Sequence, residues 1–475
     1  MKSSTSTMYL TGLAVAALSL TVQAQTPVQN TTILYEYDAS GNLTKTTNSL
    51  NASTRQIYDP LGRLQSQINA NQQTTNYVYD GQNRLIQVTD ARNLTTTYSI
   101  DGLGNQRQLN SPDTGTTINT VDAAGNVISS TDAKGQTTRY TYDVLNRITT
   151  ITYHDGKICS YSYDQGANAK GRLTQISDSA GTIQYIYDAR GRLLTETRTI
   201  AAARINSVTR YQYDAGGQLQ KLTYPNGRIL TYTRDSMGRI TQVDTLKDGM
   251  NLTLLSQVTY QPFGGVKGYI NSAGQSYQRG FDLDGRVSSY TLNNARQLVN
   301  YDPANRIVAI NDAMDNQRQT SYDYDKTDQL TTYLTPQANQ NFTYDPVGNR
   351  SSKTSGTSTT NYNYSSTSNR LIQINGGQTS NISIDANGSI TNNGNAQLTY
   401  DVRGRLSSVT SSAGVTTYLV NALGQRVQKI SSAGTGNSIS TVYHYDQSGK
   451  LISESTGLDS IDYVYLDDIP VAILK

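Results

Sequence analysis

Seven aspartates, Asp38, Asp59, Asp80, Asp101, Asp122, Asp143 and Asp164, follow one another at intervals of 21 residues. A strict period of this length restricts the fold severely, because each unit must be one supersecondary element that buries its apolar face only against its neighbours. The residue before each aspartate is Tyr37, Tyr58, Tyr79, Ile100, Val121, Tyr142 or Tyr163, so the slot asks for a strand former. Gly or Asn usually follows two or three positions after the Asp, then often Arg, then Leu or Ile. Tyr58-Asp59-Pro60-Leu61-Gly62-Arg63-Leu64 states the pattern most fully.

An Asp at the start of a turn can accept a backbone amide two residues on, and Gly can take the positive φ that closes a bulged hairpin. Pro60 suits the second turn position, where φ near −65° is wanted. Before the turn, Tyr77 and Tyr79, or Tyr161 and Tyr163, stand two apart and project from one face of a strand. A second turn signal at Asn48, Asn69, Asp90, Ser111 and Asp132 is offset by 10 from the first. One unit therefore holds two strands, expected to be about seven residues each, and two turns. The reading is all-β: tandem hairpins, each strand bonded to its neighbours in sequence, in a meander that coils as twist accumulates.

Beyond Asp164 the spacing loosens through Asp188, Asp214 and Asp235, and the pattern persists at Phe281-Asp282, Tyr301-Asp302, Tyr324-Asp325, Tyr344-Asp345, Tyr400-Asp401 and Tyr445-Asp446. The positions assigned a structural role in the repeat are Tyr37, Asp38 and Gly41; Tyr58, Asp59 and Gly62; Tyr79 and Asp80; Tyr142 and Asp143; Tyr163 and Asp164; Tyr187, Asp188 and Gly191; Tyr344, Asp345 and Gly348; Tyr400, Asp401 and Gly404. No linker separates a second domain. The Ser- and Thr-rich interval Ser351 to Asn361 is expected to be a longer exposed loop, and Gln261-Pro262-Phe263-Gly264-Gly265 to mark a bend or a change of register.

Composition supports a thin wall over a thick core. There are 35 Tyr against 3 Phe and no Trp, so nearly every aromatic ring carries a hydroxyl that can reach water or a partner. Basic and acidic residues, 39 against 36, are interleaved along the chain, which gives no stripe for nucleic acid. The lone Cys159 leaves no intrachain disulfide and reads as a small strand residue.

Lys2, the apolar stretch from about Tyr9 to Val22, and Val22-Gln23-Ala24 compose an export signal with cleavage expected after Ala24. The division is then a leader over 1–24 and a repeat wall over 25–475, secreted, periplasmic or at the cell surface, with no transmembrane segment once the leader is removed.

Chemistry-bearing patterns are scarce. His154 and His444 sit in Tyr-His-Asp and Tyr-His-Tyr-Asp, read as exposed or half-buried strand residues near turns, and neither has a partner at metal-ligand spacing. The aspartates are explained by their turns, without a calcium-binding nonapeptide or EF-hand. Gly264-Gly265 is not followed by the Lys and Ser or Thr of a phosphate loop. No catalytic residue, cofactor or metal is assigned. The arginines after the turn, Arg63, Arg84, Arg147, Arg192, Arg239, Arg286 and Arg405, are expected to lie over neighbouring Tyr rings or to pair with the aspartates.

The recurring Tyr-x-Tyr-Asp-x-x-Gly-Arg-Leu resembles the RHS or YD-repeat family of bacterial polymorphic-toxin shells, wall-associated proteins and teneurin ectodomains. The resemblance runs over nearly everything after the leader. It implies a spiralling β-sheet around a large cavity, open or incomplete in this chain, which in toxin members holds a C-terminal effector. Those members continue into a core-associated segment with a Pro-x-x-x-x-Asp-Pro-x-Gly-Leu signature. Here Tyr463 to Ala472 looks like the lead-in to that segment, and Asp59-Pro60-Leu61-Gly62 and Asp345-Pro346-Val347-Gly348 lack the preceding Pro. Self-processing and toxicity are therefore not assigned. The expected function is a non-enzymatic exported scaffold that encloses a protein cargo or presents a partner. The alternatives are a carbohydrate or cell-surface binding module, and the N-terminal part of a toxin-delivery protein without its effector.

Overall fold

At the Asp59 corner the ladder slips by one residue: Ile57 faces Ser66, but Tyr58 faces Leu64. Gly62, at φ +75°, turns the chain there and leaves one extra residue on the returning strand, which bends and twists the ribbon. The same slip recurs at Tyr79 and Leu85, Tyr142 and Ile148, Tyr187 and Leu193, Tyr344 and Arg350, and Tyr400 and Leu406. The other corner of each unit is regular, as where Ile68 faces Thr74 after the Asn69 turn. The bulge thus adds twist on one edge once per unit, and this asymmetry coils the ribbon.

The computed structural model describes residues 31–475 apart from 263, 293, 434, 435 and 437. The expected leader, with its cleavage point after Ala24, lies outside the described residues. The protein is all-β: 43 strands and one short 3-10 turn, Asn316–Arg318, among the described residues. Each strand pairs antiparallel with its predecessor and successor. One unbroken run extends from Leu34–Tyr37 to Gln378–Asn381 and a second from Ser383–Ile384 to Ile469–Leu474. At the break, the Ile382 amide still donates to the Ile372 carbonyl at 2.9 Å. Among the described residues no helix is long and apolar enough to cross a membrane.

Several expectations change in detail. Most strands in the regular units have five or six residues, as in Ser53–Tyr58 and Leu64–Ile68, because their corners consume five, and Gly115–Val121 has seven. The interval Ser351 to Asn361 is no loop but a hairpin, Arg350–Ser355 and Ser358–Tyr364. Its hydroxyls pair across the strands, Thr354 with Thr359 at 2.9 Å, so the Ser and Thr content serves the ladder. Asp164, itself at φ +63°, opens a longer loop that closes on Arg172. Near Gln261 the register shifts twice, at Ser256/Thr259 and at Thr259/Tyr260.

The ribbon coils so far that its second pass lies beside its first. Asn71 donates to Thr327 at 3.1 Å, Arg92 to the Ser368 carbonyl at 3.0 Å, Asn387 to Asp132 at 2.7 Å, Arg403 to Asp178 at 3.2 Å, and Tyr224 to the Tyr463 carbonyl at 2.8 Å. These partners rise together along the chain. The first four join mid-unit corners of the first pass to repeat corners of the second, and Tyr224 reaches the strand Asp459–Leu466; all run through side chains, not through a strand ladder. The main apolar core forms where the passes meet most closely: Tyr211, Leu222, Tyr224, Leu230, Val243 and Leu255 of the first pack with Ile452, Val464 and Leu466 of the second. Each such buried side chain contributes roughly 2 kcal/mol. Ala180 and Ile200 pack likewise on Val427 and Val442, while in the early repeats rings such as Tyr58, Tyr79 and Tyr142 are only half covered.

Candidate functional site: the corners, the seam and a buried polar row

At the Asp59 corner, one carboxylate oxygen accepts the Leu61 and Arg63 amides at 2.9 and 3.0 Å, and the other pairs with Arg63 Nε at 2.7 Å. The Asp59 amide and carbonyl close the turn with Arg63 and Gly62, both at 2.9 Å. The amide of Arg63 is the chief reason this carboxyl is held below the ordinary Asp value. Asp38, Asp80, Asp143, Asp188, Asp345 and Asp401 accept the amides two and four residues on in the same way. Gly41, Gly62, Gly191, Gly348 and Gly404 all lie at φ between +74° and +90°. Each of these aspartates accepts its two amides on one oxygen, so its carboxylate is committed to closing its own turn.

Six corners are stapled to the next unit by an arginine. Arg63, Arg147, Arg192, Arg239, Arg286 and Arg306 pair with their own aspartates. Their guanidinium groups lie over the rings of Tyr79, Tyr163, Tyr213, Tyr260, Tyr301 and Tyr324, at 4.3–5.4 Å from the centroids. Pairing and stacking are therefore one arrangement. Arg84 and Arg405 keep the pair without a ring to stack on, because the next slots hold Ile100 and Val420, and reach the next corner by donating to the Asp101 and Asn421 carbonyls. The ring's hydroxyl does separate work: Tyr58, Tyr142, Tyr163, Tyr187, Tyr344 and Tyr400 donate to the carbonyls of Leu43, Val127, Ile148, Leu173, Leu330 and Ile390, at 2.7–3.0 Å. Those carbonyls belong to the first strand residue after a bulge or corner, where the ladder is interrupted, and a Phe could not serve them. Tyr37, in the first described strand, is 61% exposed.

The two histidines separate. His154 is exposed in the Tyr153 turn and is not on a strand. His444 is buried, contrary to the exposed or half-buried expectation, because its strand belongs to the second pass and is covered by the first. It faces Ser453 across the ladder, and Ser453 faces Asp462. This His, Ser and Asp row is buried throughout, yet its wiring is not that of a nucleophile. Ser453 donates to Asp462 at 2.7 Å, not to the imidazole, and Asp462 also takes Arg228 Nε at 2.6 Å and Asn226 at 2.7 Å. His444 Nδ1 has no hydrogen-bond partner among the described residues, and burial, then Arg198, pulls the ring down to about 4. A hydroxyl committed to a salt-bridged carboxylate has no base to activate it. Cys159 is buried in strand Ile158–Tyr163, where burial pushes its thiol up. No group of three metal-ligating side chains occurs among the described residues. The row was not visible in the sequence, since its three residues look like ordinary strand positions.

Two family models match the chain: one described as Teneurin YD-shell over residues 290–454, and one as RHS Repeat over residues 58–95, 121–158, 168–205, 202–229 and 213–249. A search of curated proteins finds no match. Among solved structures, TcdB2-TccC3 without its hypervariable C-terminal region superposes with a TM-score of 0.71 at 15% identity, over 92% of this chain and 28% of that one. The Tc holotoxin pore of Photorhabdus luminescens gives 0.69 at 15% identity, over 91% and 27%. The likeness is one of fold, and this chain spans just over a quarter of the length of those chains.

Proposed function

We propose that this chain, which belongs to the RHS and YD-repeat family, is a non-enzymatic exported wall that encloses a protein cargo. The observation that carries the proposal is the seam: corners more than 220 residues apart interlock side chain to side chain, as in Arg403 with Asp178 and Asn71 with Asp325. A ribbon that seats its second pass on its first bounds a volume, which a flat adhesive surface would not need. The turn aspartates are committed to their own corners and Ser453 to Asp462, so both serve the wall's own structure. In this reading the Tyr-Asp-Gly positions are structural, residues 1–24 are a leader cleaved after Ala24, and residues 25–475 form the wall. A row of open aromatic faces for glycans has little support, because guanidinium groups cover many of the repeat tyrosines.

A small protease-sensitive domain fused after Lys475 tests enclosure. The proposal expects it to be cut much more slowly than the same domain fused before Thr31. Equal cleavage at both ends would refute it.

A further inference from the structure

The two edges of the ribbon meet different surroundings. Mid-unit corners of the first pass take the seam, so its Tyr-Asp corners form the opposite, outer rim. Within a Tyr-Asp corner, the residue two after the Asp reaches across the seam. Thr327, Asn387 and Arg403 follow Asp325, Asp385 and Asp401 in this way, and they bond to Asn71, Asp132 and Asp178. On the outer rim the same slot holds Leu61, Leu103 and Leu145, which are 71%, 86% and 66% exposed, and Val144 beside the last is exposed too. The slot that makes contacts in the second pass is thus apolar and uncovered in the first.

A single exposed apolar side chain needs no partner. These three differ in recurring in one slot at every second corner, with Gln82 and Ala124 in the slots between. Adjacent Tyr-Asp corners are two strands apart, roughly 10 Å, so the leucines stand roughly 19 Å from one another. That spacing leaves room for a further side chain between any two. The charged groups beside them are committed within the rim: Asp59, Asp80 and Asp143 pair with Arg63, Arg84 and Arg147 of their own corners. Covering the rim therefore isolates none of these carboxylates.

A row of knobs separated by gaps wide enough for the same knob is self-complementary. A two-fold rotation brings a second such row against the first with each knob facing a gap. Because a rotation preserves the hand of a coil, the two sloping rims run parallel where they meet. We propose that the outer rim is a contact between two copies of this chain, joined rim to rim about a two-fold axis with Leu61, Leu103 and Leu145 interdigitating. The contact extends the way the wall already joins its own passes, corner to corner through side chains, with apolar tips in place of polar ones. The opposite rim carries exposed Met314 and Leu458 far apart along the chain, without this alternation. The pairing of copies is independent of whether the wall encloses cargo.

Analytical ultracentrifugation of residues 25–475 over a concentration series tests this. A concentration-dependent dimer is expected. Combining Leu61→Ser, Leu103→Ser and Leu145→Ser is expected to raise the concentration of half-dissociation by about tenfold or more. The melting temperature of the dissociated chain should not change, because all three side chains already face solvent. Met314→Ser with Leu458→Ser, on the opposite rim, is expected to leave the dimer intact. The proposal is overturned by a monomer throughout the series, by a dimer that survives the triple substitution, or by equal loss from the opposite rim. A monomer that sediments with phosphatidylcholine vesicles only while the three leucines are present would also overturn it, by making the rim a lipid contact.

Discussion

The guanidinium of Arg147 lies 4.3 Å from the centre of the Tyr163 ring, one repeat further along the chain. Arg147 is fixed there by Asp143, at 2.6 Å, and the Tyr163 hydroxyl donates to the Ile148 carbonyl at 3.0 Å. Asp, Arg and Tyr thus act as one clamp between units. Tyr163→Phe strips only the hydroxyl and is expected to cost about 1 kcal/mol, read by urea unfolding. Arg147→Ala is expected to lower the melting temperature more than Arg84→Ala, because Arg147 has the Tyr163 ring and a second pair with Asp164 where Arg84 has Ile100 and a bond to the Asp101 carbonyl. Equal losses would remove the stacking half of the clamp.

The turn aspartates should tolerate an amide better than a methyl. Asn421 already opens a corner in this chain, accepting the Leu423 and Gln425 amides at 3.0 Å each. Asp143→Asn keeps both amide bonds and loses only the ion pair, so it is expected to melt closer to the parent than Asp143→Ala does. The reverse order would show that the carboxylate's charge, not its acceptor geometry, holds the turn.

Much of this was legible in advance. A 21-residue spacing fixed the two-strand unit, and Tyr-Asp-x-x-Gly marked the bulged corners because Asp supplies the amide acceptor and Gly, or Asn as at Asn146, takes the positive φ. Which corner meets which across the seam was not legible. Arg228 and Asp462 each occupy ordinary strand or turn positions, and their meeting at 2.6 Å depends on how far the ribbon bends per unit, a small twist summed over many bulges. Ser351 to Asn361 misled because hydroxyl residues suit loops and laddered strands alike.

The Arg228 to Asp462 pair should lock the end of the chain. Both side chains are almost fully buried, so Arg228→Ala strands a carboxylate and is expected to destabilise by about 3–5 kcal/mol. Hydrogen exchange should accelerate in strands Asp459–Leu466 and Ile469–Leu474 and remain unchanged in the units before Asp143. Uniform acceleration would mean that the seam and the early repeats unfold as one unit.

Acid should weaken the protein in two stages. His444 is disfavoured as a cation in the fold, by burial first and by Arg198 second; Asp462 opposes this with a smaller effect. Its folded value of about 4 lies below the unfolded value of about 6.5, so the unfolded chain takes up the proton first. Stability is then lost as pH falls from about 6.5 to 4, by up to about 3 kcal/mol, and His444→Gln should flatten that limb. The turn carboxylates, including Asp59 and Asp143, are depressed by their amide bonds. Their contribution is intact above the unfolded Asp value of about 3.9 and is lost only as pH falls through the lower folded values. Urea midpoints against pH for the two chains would separate the stages, and an unchanged upper limb in His444→Gln would place its cause elsewhere.

Everything rests on the second pass being seated on the first in this register. Asn71→Cys with Thr327→Cys, in a Cys159→Ser background, places two thiols where the side chains now meet at 3.1 Å. Mild oxidation is predicted to give a monomeric species with an internal disulfide, and Asn71→Cys with Thr367→Cys, two corners further on, is predicted to give none. Failure of the first pair to close, or equal closure of both, would contradict a coiled wall.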